Sequence, residues 1–139
     1  MTLKKAIEDA TVTKVASITG ITTYVPTAQI KIWDSTTTCD AATMILCHVD
    51  PIGEDSGSTF AELLAVKLTV SLWCHRDSTS AKSNFDNAAD KLETWTLGKP
   101  AYTGITGWTV SGMTWEGSAD LSDEKYLRSD YSLILHVFR

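Results

Sequence analysis

The stretch Leu64-Ala-Val-Lys-Leu-Thr-Val-Ser-Leu-Trp-Cys-His-Arg-Asp77 decides the fold. Drawn as an extended chain, it puts Leu64, Val66, Leu68, Val70, Leu72 and Cys74 on one face. Ala65, Lys67, Thr69, Ser71, Trp73 and His75 fall on the other. Unbroken alternation is the signature of a half-buried β-strand, because successive side chains point to opposite sides of the pleat. The strand reads from about Phe60 to His75. That exceeds the usual length of roughly five or six residues, so a central strand, or one that projects beyond its sheet, is expected.

Upstream, Asp50-Pro-Ile-Gly-Glu-Asp-Ser-Gly-Ser58 has the Pro, Gly and Asp content of a loop. Before it, Thr43 to Val49 carries the nearly continuous apolar run Met44-Ile-Leu-Cys-His-Val49, expected of a strand covered on both faces or of an interface strand. A Thr-rich turn at 35–40 separates it from a short strand within Tyr24 to Trp33, where Ile30 and Ile32 alternate with Lys31 and Trp33. The chain opens with a predicted helix from Thr2 to about Ser17, with Leu3, Ile7, Ala10, Val15 and Ile18 on roughly one stripe. Thr2 can cap it, Glu8 and Asp9 suit its dipole, and Gly20 is a plausible stop.

Downstream, Arg76 to Ser80 forms a turn into a second helix, whose stripe is Phe85, Ala88, Ala89, Leu92 and Trp95. Gly98 and Pro100 end it. A strand from Ile105 to Trp115 follows, interrupted by Gly107 and Gly112. The acidic segment Glu116 to Glu124 reads as a turn, and Tyr126 to Phe138 as the last strand. The element order predicts an α+β fold: a mostly antiparallel sheet with two helices packed on one face, all within a single domain over 1–139.

Composition narrows the function. A chain of 139 residues with 43% hydrophobic and 21% charged residues is ordinary globular material, large enough to fold without disulfides or metal. Thr and Ser make up 33 residues, 20 of them Thr, which favours strands. The net charge of −5 argues against gripping nucleic acid, which takes a basic face. No run approaches the roughly 20 apolar residues of a membrane span. The first residues carry acids without an apolar core, so no secretion signal is expected. Cys39, Cys47 and Cys74 are then expected to be reduced thiols.

A search for chemistry finds little. Cys47-His48 and Cys74-His75 could suggest zinc. Neighbours on a strand point to opposite faces, so no face gathers the four ligands of such a site. Cys47 and Cys74 are better read as small core residues. His48 and Asp50 share a face and could form a dyad, although a solvated strand end is the plainer reading. Nucleophile-elbow and phosphate-loop motifs are absent from the sequence. Neither a cofactor nor a metal is expected. From Ile32 to Val66 there is no Lys or Arg, while Asp34, Asp40, Asp50, Glu54, Asp55 and Glu62 are present; Glu116, Asp120, Asp123 and Glu124 form a second acidic group. These are expected to be solvated loops, or a surface that repels a polyanion. Trp73, on the polar face of the long strand, and Trp33, beside a turn, are candidates for a covered layer or a protein interface.

The layout resembles the tail terminator, or tail completion, proteins of long-tailed bacteriophages. The resemblance runs from the first helix to Arg139 and is carried by several stretches. These are the long strand 64–77, the helix Ser80-Ala-Lys-Ser-Asn-Phe-Asp-Asn-Ala-Ala-Asp-Lys-Leu92, and the closing strands Trp108 to Trp115 and Tyr126 to Phe138, with Arg128 leading in. The resemblance implies a structural, non-enzymatic virion protein. It would assemble as a homo-oligomer, usually a hexameric ring, on the end of the tail tube. There it would stop tube polymerisation and meet the head–tail connector, while DNA passes the lumen without sequence-specific binding. Residues Trp33, Trp73, Asp50, Glu54, Asp55, Glu116, Asp120 and Arg128 are the interface candidates, with the 50–59 loop or the 116–124 segment facing the tube or channel. A head-closure or neck connector protein is the nearest alternative. A small enzyme with a pocket between sheet and helices, using His48, Asp50 or His75, is the rival of another class, and an ordinary binding module is a third reading.

Overall fold

The computed structural model describes residues 2–34, 37, 41–51, 63–105 and 107–139. The fold is α+β. Helix α1 spans Leu3–Ala16 and α2 spans Ala81–Leu97. The strands are β1 (Ile30–Ile32), β2 (Thr43–Val49), β3 (Leu63–His75), β4 (Thr109–Asp120) and β5 (Tyr126–Phe138). They form one five-stranded sheet in the order β1-β2-β3-β5-β4. β1 and β2 run parallel, and the other neighbours are antiparallel.

The long alternating strand lies at the centre, as its pattern requires. Val66, Leu68, Val70, Leu72 and Cys74 are buried on one face, level with Tyr131, Leu133, Leu135 and Val137 of β5. Both helices cover that face. α1 packs on β1 and β2 through Ile7 and Val15, and α2 packs on β3 and β5 through Phe85, Ala88 and Leu92. Each of these side chains except Ala88 contributes about 1.5–3 kcal/mol on removal from water. On the opposite face Met44 and Leu46 are also buried, so β2 is enclosed on both sides.

Helix α1 starts where Thr2 accepts a hydrogen bond from the Lys5 N–H at 3.2 Å. It ends at Ala16, before Gly20. Near that end the Thr13 and Ser17 hydroxyls fold back to carbonyls one turn earlier, at 3.2 and 2.8 Å, an arrangement that weakens a helix. Gly20, in the left-handed region at φ +81°, instead opens a 3₁₀ turn over Ile21–Thr23. A second such turn covers Thr27–Gln29, and the short strand expected within 24–33 is Ile30–Ile32.

The larger correction concerns the last third. β4 begins at Thr109 and continues through Glu116 to Asp120, so Glu116 and Asp120 are strand residues rather than turn residues. Register shifts between Val110 and Gly112, and between Trp115 and Gly117, displace the alternation twice. A bulged strand does not look like a strand by period. The turn shrinks to 121–125. There Asp120 accepts the Ser122 N–H, and Asp123 accepts those of Lys125 and Tyr126.

Candidate functional site

The sheet is open, and its two edges differ. β1 shields β2 for three residues and stops. Trp33 then donates its N–H to Cys47 O at 2.9 Å, and the next donor of β2 on that side, the Val49 N–H, meets no strand among the described residues. Glu8 of α1 takes that place. Its carboxylate accepts the Val49 N–H at 3.1 Å and the Lys4 ammonium at 3.0 and 3.1 Å, although Glu8 is only 2% exposed. Glu8 thus completes a sheet edge with a side chain. It is the site residue that sequence reasoning missed. The available signal was its spacing with Thr11 and Val15, which sets two polar side chains on a buried stripe. Thr11 is likewise satisfied, with its hydroxyl 2.6 Å from Tyr102 Oη.

His48 stands beside this corner. Its Nδ1 lies 3.8 Å from Glu8 Oε2, its Nε2 lies 3.5 Å from Asp50 Oδ1, and Trp33 meets the ring edge-on at 5.0 Å. Nδ1 is buried with no hydrogen-bond partner among the described residues. Among the described residues the ring has a carboxylate on each side and no hydroxyl or thiol hydrogen-bonded to it. Cys47 faces the helices instead, where burial, and then the Glu8 carboxylate, push its thiol up to about 12. It packs as a core residue, as does Cys74.

The open face carries a second constellation. Arg128 stacks on Trp73 with its guanidinium carbon 4.4 Å from the ring centre, and forks onto both oxygens of Asp130 at 3.0 Å. Tyr126 contacts both Trp73 and His75. Trp73 is therefore half-covered by its own chain. Asp50 and Glu116 are exposed; Glu116 pairs with Lys67 at 3.4 Å across the sheet. Asp120 is exposed and held below the usual carboxylate range, chiefly by its hydrogen bonds to Ser122. Glu54 and Asp55 lie outside the described residues, as does Cys39. The structure thus brings Trp33 together with Asp50 through His48, and Trp73 together with Arg128; it leaves Glu116 and Asp120 apart on β4.

An open groove of about 470 Å³ lies between the ends of α1 and α2, lined by Thr13, Lys14, Ser17, Ile18, Trp95 and Pro100. His48, Asp50 and His75 are not among its lining residues. Its hydroxyls are already bonded to backbone, and Lys14 lies over the Tyr102 ring at 5.1 Å. Among the described residues no group of three His, Cys, Asp or Glu side chains is placed to hold a metal ion. No helix of the described chain is long and apolar enough to cross a membrane.

Most of the exposed large apolar side chains fall at the sheet edges. Four large hydrophobics are exposed among the described residues: Trp33 (43%), Leu97 (48%), Trp115 (36%) and Leu121 (47%). Trp33 follows β1, Trp115 lies in β4, and Leu121 follows β4. Comparison of the chain with protein-family models and with curated proteins returns no match.

Proposed function

We propose that the protein is a structural subunit that works by assembling into a ring, in the manner of a phage tail terminator. Such a ring would sit on the end of a finished tail tube, stop its growth and present a surface to the head connector. The observation that carries the reading is the placement of three of the four exposed large hydrophobics at the two unlike edges of an open sheet. Apolar side chains left at sheet edges mark association surfaces. Unlike edges favour head-to-tail contacts, which close into rings when the rotation permits. The element order supports the same reading, since it follows the layout that the sequence shares with tail terminators. The net charge of −5 suits a lumen through which DNA slides without adhering.

The test is assembly. Purified protein is mixed with polymerising tail-tube subunits, then followed by sedimentation and negative-stain microscopy. Rings at tube ends, with tube lengthening arrested, are the expected result. Tubes that lengthen unchecked beside a protein that never oligomerises would overturn the reading. Selective capture by portal–adaptor complexes in place of tubes would move the protein to the neck connector.

A further inference from the structure

We infer that neighbouring copies join by strand pairing between the C-terminal part of β4, residues 117–120, and the β1 edge of the next copy. The inference rests on the ring reading above and names its junction.

The backbone supplies the first argument. Leu121 N–H donates to Arg128 O at 3.0 Å, so Leu121 and Arg128 form a hydrogen-bonded pair. Such pairs alternate along an antiparallel ladder. Ser118 and Asp120, opposite Tyr131 and Ser129, therefore turn their N–H and C=O groups away from β5. On the other edge, the Trp33 N–H donates to Cys47 O, so Ile32 one residue earlier turns its backbone outward. Among the described residues these outward groups have no backbone partner.

Length supplies the second. Register shifts divide β4, leaving the even run Gly117–Asp120 after the last one. β1 offers Ile30–Ile32. A run of four residues meets an edge of three without a bulge intervening. A β4–β4 pairing between two copies would have to absorb the irregularities of both strands.

Charge selects the occupant. An exposed edge is ordinarily guarded by uncompensated charge. Here Glu116 is matched by Lys67 at 3.4 Å, and Asp120 lies in the field of Arg76 and Lys82. The edge thus exerts little pull on a basic peptide and does little to repel another copy. Lys31 is exposed and points to the same side of the sheet as Lys67 and Glu116, so a continued sheet would bring it to the Glu116 side of β4, while Asp120, level with Ser129 and Leu72, lies on the helix side. Trp33 on one edge and Leu121 on the other would leave water at the same junction.

Cross-linking tests this. In a Cys39→Ser background, Lys31→Cys and Ala119→Cys, which share the open face of the sheet, are made singly and together, then treated with a short bis-maleimide under conditions where wild type sediments as a ring. The double variant is expected to give a ladder from dimer upward, and each single variant only monomer. Ser118→Pro removes one outward donor at an edge position that tolerates proline; it is expected to keep the fold by circular dichroism and weaken assembly at least tenfold. Dimers from Ala119→Cys alone, or an intact ring with neither cross-linking nor sensitivity to Ser118→Pro, would overturn the junction while leaving the ring standing. Wild type that stays monomeric even with tubes present would overturn both.

Discussion

Replacing Glu8 gives the sharpest test of how the sheet edge is completed. Glu8→Ala removes the acceptor of the Val49 N–H and the partner of Lys4. Lys4 is 36% exposed, so its ion pair is screened and contributes about 0.5 kcal/mol. The bond from the Val49 amide to a buried carboxylate is charge-assisted, and such bonds contribute about 1.5–3 kcal/mol. Among the described residues the stranded amide has no other acceptor. The expected loss is therefore about 2–3.5 kcal/mol. For a urea slope of about 2 kcal/mol/M, the unfolding midpoint falls by about 1–2 M. Glu8→Gln keeps an acceptor of the same shape and loses only the charge, so about half of that loss is expected. The assay is equilibrium urea unfolding by tryptophan fluorescence, paired with amide exchange read at Val49. A Glu8→Ala protein as stable as wild type, with the Val49 amide equally protected, would refute the claim that this carboxylate stands in for a strand.

Three further outcomes are expected. Cys47, with its thiol pushed up to about 12, stays unmodified by a maleimide at pH 8 in the folded protein and reacts only on unfolding, as peptide mass mapping will report. Tyr102 and Tyr131 are both raised above the usual phenol range, first by burial. Because the folded state favours the neutral phenol, their stabilisation is complete below the unfolded value of about 10 and is lost as pH rises beyond it; Tyr102→Phe, which also removes the bond to Thr11, flattens that alkaline fall and costs about 1–2 kcal/mol at neutral pH by urea unfolding. Asp123 is held below the usual carboxylate range by the Tyr126 and Lys125 amides. Its contribution to the β4–β5 turn is therefore present above the unfolded value of about 3.9 and fades as pH falls through the lower folded value; Asp123→Ala speeds exchange of the Leu121 amide and removes that acid dependence.

The residues that could be read from sequence are those whose pattern reflects one regular period. β5 and the core of β3 follow from alternation and α2 from its stripe, because each buries one face against one layer, while β2 follows from its continuous apolar run, because it is covered on both faces. β4 was legible only in part, since its register shifts move residues from one face to the other. The 3₁₀ turns before β1 have no period long enough to detect. Of the candidate site, Trp33 and Trp73 stood out as large aromatics on polar ground, and both prove to be contact points, with His48 and with Arg128. Glu8 was read as a dipole partner because it lies in the first half of α1. Its true acceptor role depends on Val49, 41 residues away, and local sequence carries no trace of a contact that distant.

The position of β5 has a consequence for how the chain is made. It lies between β3 and β4, and its pairings with β3 join residues as far apart as Leu63 and Phe138. Until residues 126–138 leave the ribosome, β3 lacks one neighbour and β4 has none. Until β5 emerges β3 presents a bare ladder, and loop closure over such separations is slow. Proteases and chaperones would meet that half-zipped intermediate, and a nonsense codon anywhere before β5 would release a polypeptide unable to complete its sheet.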